Sequence, residues 1–248
     1  MKKPRKRPKP LPSREVFRRV KRMVKLVDRE VRVGLEVRAS LEAANTIIRS
    51  QPGIYYDAAS CVSSIQGSQA MFLSLALAKL FELPHRSRGE THARRYNRSD
   101  VASIPLLVRL LKQERTRQHL VRKARRWTPM LKHSGDKNAK DCGDAIAAAI
   151  GAYDAFRKSK AGRSAMRRLQ LFRNKLLAHL LVTPPLRVRS TYGELFRLMD
   201  LAREVVAPAR LAIDGMNLDL PTYEKERVRV ANVFWRPALK AAMSKEAQ

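Results

Sequence analysis

The sequence predicts an all-α protein, a multi-helix bundle preceded by a disordered basic N-terminal arm. Three observations lead there. Apolar residues recur at three- and four-residue steps in several long stretches, the period of a helix face buried on one side. Ala, Leu and Arg dominate while aromatic residues make up 6% of the chain, a mix that favours helices over sheets. No segment shows a convincing strand alternation, although residues 186–189 can form a short extended piece. At 248 residues and 44% hydrophobic, the chain is long enough for one large or two small domains and apolar enough for a real core.

Residues 1–12 alternate cations with proline: Lys2, Lys3, Arg5, Lys6, Arg7 and Lys9 carry six positive charges and no acid intervenes. Proline at this density blocks both helix and strand, and like charges repel, so a mobile arm is expected. It reads equally as a phosphate-grasping tail and as a solubilising terminus. Residues 13–248 are expected to form a single helical domain, with a C-terminal extension from about 216. Ser13 is a suitable cap for a helix running to about Ser50, with Val16, Val20, Val24, Val27 and Val31 on its apolar face and Gly34 as a candidate break. Gln51-Pro52-Gly53 is a turn signal. Residues 69–81 contain one charge, Lys79, and suit a core helix covered on most sides, ended by Pro84. Residues 85–98 read as a basic surface loop.

Ser99 is expected to cap the next helix, through about Trp127, with Ile104, Leu107, Leu110 and Leu111 facing inward. Its second half is the densest basic segment of the body: Lys112, Arg115, Arg117, Arg122, Lys123, Arg125 and Arg126 against Glu114 alone. Trp127 beside it suits either stacking on a base or packing in the core, the commoner fate of such a residue. Residues 132–140 read as a loop, with a further helix from about Asp141 to Lys158. Gly162 marks an expected bend and Ser164 a restart, after which Leu169, Phe172, Leu176 and Leu180 form a stripe that Pro184-Pro185 ends. A long helix is expected from about Thr191 to Ile213, facing inward through Leu195, Leu198, Leu201 and Val205, and a short one near 224–234.

Charge is the strongest compositional signal. Lys and Arg total 52 against 22 acids, a formal net charge of +30 that the arm alone does not account for. Such a surface attracts phosphate, which points to RNA or another polyanion as partner. Solubility or adaptation to the surroundings would produce the same balance. Cys61 and Cys142 are far apart and form no CxxC pair, so neither a disulfide framework nor a cysteine zinc site is suggested. The N-terminal cations are followed by no apolar stretch, and no run of about 18 apolar residues occurs, so neither a secretory signal nor a transmembrane helix is expected. The expected address is the cytoplasm, with no membrane partner. His85 and His92, with Glu90, lie in a basic loop and are read as solvated rather than as a metal cluster. No metal site and no cofactor is predicted.

One segment carries chemistry. Residues 173–179, Arg-Asn-Lys-Leu-Leu-Ala-His, lie near the end of a predicted helix. They resemble the signature of the HEPN superfamily (higher eukaryotes and prokaryotes nucleotide-binding domains). That signature is an Arg, often followed by Asn, His or Asp, with four to six residues before a His. Here five intervene and Asn174 is second. The wording is further similar to the U-type abortive-infection branch, as is Tyr192 followed by a Leu-rich helix, and the resemblance extends over about residues 40–215. It implies a helical domain that often dimerises and acts as a metal-independent ribonuclease, in phage defence or as a toxin, although some members only bind. It leaves an antitoxin open as a further partner. By the resemblance, Arg173, Asn174 and His179 are the catalytic candidates.

The residue types suit that reaction. RNA is cut when its 2′-hydroxyl attacks the neighbouring phosphate; the attacker must lose a proton and the leaving oxygen gain one, which a His titrating near neutrality can serve. A fixed Arg stabilises the extra negative charge of the phosphorane, and Asn can orient the imidazole or hold a phosphate oxygen. On a straight helix Arg173 and His179 stand about 9 Å apart in rise and about 120° around the axis, flanking one groove. Lys175 lies one turn before His179 and should lower its pKa. One His cannot easily be both acid and base, so two motifs meeting across a two-fold axis, a homodimer with a composite site, are expected. Lys175 and the basic segment with Arg115, Arg117, Arg122, Lys123, Arg125 and Arg126 are the candidate RNA guides. Two rival readings remain: a non-catalytic nucleic-acid-binding protein on the same scaffold, and an assembly protein whose basic surface meets an acidic partner. In related toxins a Tyr follows the His by two residues; here Leu181 stands there, so control through such a tyrosine is not supported.

Overall fold

The computed structural model describes residues 13–50, 59–82, 101–128, 134–173 and 191–241. Among them there are eight helices and no strand: α1 Ser13–Arg49, α2 Ala59–Leu80, α3 Ile104–Leu111, α4 Glu114–Ala124, α5 Gly135–Lys158, α6 Lys160–Phe172, α7 Tyr192–Asp214 and α8 Leu220–Ala241. The predicted all-α bundle is therefore what forms. The basic arm lies outside the described residues.

α7 is the hub. Its Leu195, Leu198, Leu201, Ala202 and Val205 are at most 2% exposed, and it packs on each of α1 to α6. Its start is locally encoded: the Thr191 hydroxyl accepts the Glu194 backbone N–H and the Glu194 carboxylate accepts that of Thr191, a reciprocal cap. Its end is Gly215 at φ +72°, a left-handed residue in contact with the Trp127 ring. A Cβ at Gly215 would stand 3.1 Å from ring atoms, so conformation and packing both favour glycine there.

α1 runs unbroken for 37 residues, burying the predicted valine stripe and continuing it through Leu35, Ala39 and Leu41. Gly34 is not a break. It lies where α1 crosses α7, and a Cβ there would sit 2.7 Å from Met199 Sδ, so the missing side chain lets the helices approach. A buried charge network ties the same pair: Arg210 reaches Asp28 at 3.4 Å and Asp214 within its own helix, and Asp28 also accepts from Arg32 at 3.2 Å. Along the other flank Arg38 bridges Asp200 at 2.6 Å, Glu42 at 3.1 Å and Glu224 at 3.5 Å, joining α1, α7 and α8. Burial opposes that charge, but the Asp200 hydrogen bond and the three carboxylates outweigh it and hold the guanidinium pKa above its ordinary value. α8 is longer than the short helix expected. It packs along α1, with Trp235 and Leu239 against Ala43 and Ala44 and the Trp235 indole N–H on Ser40 Oγ at 2.9 Å.

Several boundaries differ from expectation. The helix predicted from Ser99 to Trp127 begins at Ile104 and turns a corner at Lys112 and Gln113, where Gln113 is extended at ψ 122°. Lys112 is anchored to Asp154 of α5 at 2.6 Å at that corner. α5 begins at Gly135, so residues 135–140, expected in a loop, are helical. The break between α5 and α6 is at Ser159, not at Gly162 or Ser164. Ser159 is extended and its hydroxyl accepts the Gly162 N–H at 2.9 Å. Gly162 is needed for contact: a Cβ would lie 2.0 Å from the Phe156 carbonyl oxygen. α2 is less covered than predicted. Leu73, Leu77 and Leu80 enter the core, but Ile65, Met71, Phe72 and Leu75 are exposed. By length and composition α2 alone, among the described residues, passes as long and apolar enough to cross a membrane. Its inner face nonetheless packs on α1, α6 and α7.

Candidate active site

The motif Arg sits where a helix ends. α6 buries Gly162 and Ala165 together with Leu169 and Phe172 of the predicted stripe, and this phase leaves Arg173, the next residue, partly exposed beside α2. Arg173 Nη2 donates to Glu82 Oε1 at 2.7 Å. Glu82 follows the last turn of α2, its backbone N–H bonded to the Lys79 carbonyl at 3.2 Å. The two helix ends are thus tied by an ion pair between residues 91 apart in sequence. The side chains are 43% and 26% exposed, so the pair is partly wet and constrains position more than it adds stability.

This pair borders a cavity of about 290 Å³ between α2, α3, α5 and α6. Phe81, Pro105 and Tyr153 give it an apolar floor; Glu82, Arg157 and Arg173 are its charged lining. Two guanidiniums against one carboxylate leave a net positive opening. A guanidinium has five N–H donors, so an Arg173 held at Nη2 by Glu82 keeps donors for a phosphate.

Asn174, Lys175 and His179 lie outside the described residues, as do the Leu176 and Leu180 ends of the stripe. The expected groove between Arg173 and His179 therefore lies outside them too. His85, Glu90, His92 and His133 also lie outside. The described histidine, His119, is half-buried with its ring 4.4 Å from that of Phe17, a packing role. Among the described residues no cluster of three His, Cys, Asp or Glu side chains is arranged to hold a metal.

The basic segment divides. Arg115, Arg122 and Arg126 are exposed, with no ion-pair partner among the described residues. Arg117 pairs with Glu114 at 3.7 Å and Arg125 with Asp136 at 3.2 Å, both at exposed sites where such pairs are weak. Lys123 is committed inward: its ammonium donates to the Ile213 carbonyl at 3.2 Å and sits 5.1 Å from the Phe17 ring centre. Lys123 therefore belongs to packing rather than to the exposed basic face. Trp127 also packs on the core, against Gly215. α4 contacts α1, α3, α5 and α7, whereas α6 contacts α2, α5 and α7, so the structure does not bring the basic helix and Arg173 directly together.

Glu82, Tyr153 and Arg157 were not singled out in the sequence. Glu82 had a faint signal, as an acid at the end of an apolar helix in a chain of charge +30. Tyr153 and Arg157 had none, because their place beside Arg173 depends on how α5 lies against α6. The buried thiol of Cys142 is pushed up to about 11 by burial and is not a nucleophile at neutral pH.

No curated protein matches the chain, and no solved structure does. A family model described as AbiU2, of HEPN type, matches residues 64–234, from within α2 to within α8. That span is well over half of the chain and includes the Arg173 heptapeptide, the cavity beside it and the capped hub helix. The chain belongs to the AbiU2 family of the HEPN superfamily.

Proposed function

We propose that this protein is a cytoplasmic HEPN endoribonuclease of the phage-defence or toxin kind, cleaving RNA by 2′-hydroxyl attack without a metal. One observation carries the reading. The first residue of the motif, Arg173, is steered by Glu82 to the rim of a cavity that bears a second guanidinium, Arg157. Arg173 stabilises the developing phosphorane charge from a pre-set position, Asn174 orients, and His179 moves the proton. Pre-set donors of this kind typically account for about 10²- to 10³-fold in rate. Two copies of the motif supply separate acid and base, hence a homodimer. Lys175 and the exposed arginines of α4 guide the strand. An antitoxin that covers the site would complete a toxin system.

The test compares wild type, Arg173→Ala and His179→Ala on single-stranded RNA with excess chelator. The same RNA with a 2′-deoxy substitution at the cleaved position is run beside it. Chelator-resistant cleavage to cyclic-phosphate ends, lost in both variants and blocked by the 2′-deoxy group, is expected. Cutting of the deoxy-substituted strand, or activity surviving in both variants, refutes the reading. The alternative, a non-catalytic nucleic-acid-binding protein, is favoured by exposed Arg115, Arg122 and Arg126 on and just after α4, which can grip phosphate without Arg173. It predicts steeply salt-dependent RNA binding with no product in any variant.

A further inference from the structure

A second cavity, of about 440 Å³, lies between α1, α7 and α8 and borders none of the residues discussed above as catalytic. It is large enough for a mononucleotide. Tyr192 and Phe196, one turn apart on α7, form an aromatic ledge, their ring centres 6.3 Å apart and the planes tilted by 41°. Arg38 sits 4.9 Å from the Phe196 ring centre and is itself held by carboxylates. The remaining lining includes two amide side chains, Asn45 and Asn232. Asn45 Oδ1 accepts from Gln66, leaving its amide N–H groups to donate. Asn232 Nδ2 donates to the Val228 carbonyl, leaving its Oδ1 to accept. Thr46 adds a hydroxyl, and Arg49, exposed at the end of α1, a cation. The acid in the lining, Glu42, pairs with Arg38 at 3.1 Å, which it shares with Asp200 and Glu224.

An aromatic platform, a facing donor and acceptor, and a cation beside them match a nucleobase with its phosphate. We infer that this cavity takes one unstacked base of a single-stranded RNA, its ring on Tyr192 and Phe196, its edge on Asn45 and Asn232 and its phosphate on Arg49. Such stacking tolerates every base, while amide contacts select among edges. The inference rests on RNA being the ligand, as proposed above.

The full chain is titrated with the four 5′-ribonucleoside monophosphates, and with ribose 5-phosphate and inorganic phosphate as controls. At least one nucleotide is expected to bind saturably, at least about tenfold tighter than ribose 5-phosphate. Asn232→Leu should weaken it by about fivefold or more. Thr46→Arg gives the sharper sign. It fills an exposed edge of the cavity while adding a positive charge, so base capture falls, whereas plain phosphate attraction rises. Circular dichroism confirms that both variants fold. Nucleotides binding no tighter than ribose 5-phosphate, or Thr46→Arg binding them as well as wild type, overturns the inference. RNA cleavage that needs Arg173 but comes without nucleotide binding ends the base-pocket idea alone. Nucleotide binding without cleavage ends the endoribonuclease reading alone.

Discussion

Replacing Arg210 by Met should cost the fold about 3 kcal/mol. Arg210 is 7% exposed and holds two carboxylates, Asp28 across the α1–α7 contact and Asp214 four residues on. Removing one member of a buried ion pair typically costs about 3–5 kcal/mol, because the other charge stays buried and unmatched. Here Asp28 keeps Arg32 at 3.2 Å, and Arg32 is 35% exposed, which places the cost at the lower end. Asp214, 8% exposed, is the group left stranded. Urea unfolding followed at 222 nm is the assay. With a slope of about 3 kcal/mol per molar the midpoint falls by about 1 M. Adding Asp214→Asn to the variant should recover more than half of the loss, since it removes the stranded charge. Raising salt should leave the difference unchanged, because buried charges are poorly screened. A loss below about 1 kcal/mol, or no recovery in the double variant, would mean that water reaches this network and the burial argument is wrong.

Gly162→Ala should lower the melting temperature by at least about 5 °C, since the new methyl meets the Phe156 carbonyl at 2.0 Å and the α5–α6 corner must open. A thermal scan reads it, and an unchanged midpoint counts against the corner. For the cysteines, a thiol reagent at pH 8 should label exposed Cys61 in the native protein and Cys142 only on unfolding. Because burial raises the folded Cys142 pKa above its unfolded value, only the unfolded chain ionises between about pH 9 and 11. Cys142 therefore removes stability as pH rises through that window, and Cys142→Ala should flatten the alkaline loss. Glu82→Gln separates positioning from attraction: with an acid removed beside Arg173, RNA should bind more tightly, while turnover falls several-fold because Arg173 is no longer held. KM and kcat both unchanged would show that the 2.7 Å pair has no part in cleavage.

Much of the fold was legible because helices announce themselves locally. The valine steps of α1 and the Leu195, Leu198 and Leu201 face each need only a few neighbouring residues to be read. The boundaries that misled were those where a residue serves a distant surface. Gly34 read as a break but is room for Met199. Gly162 read as a bend but is room for the Phe156 carbonyl, while Ser159 makes the turn. Lys123 read as part of a basic face but donates to the Ile213 carbonyl.

The same division holds at the site. The sequence by itself determined that the chain is helical, strongly basic and marked at Arg173 by a HEPN motif, because composition, period and a short motif are properties of adjacent residues. Only the tertiary structure decided that Glu82 is the residue that holds Arg173, that Arg157 shares its cavity, and that Tyr192 and Phe196 line one cavity with Asn45 and Asn232. Those pairings depend on how helices far apart in the chain cross, and crossing is set by the shapes of whole packed faces rather than by any local run of residues.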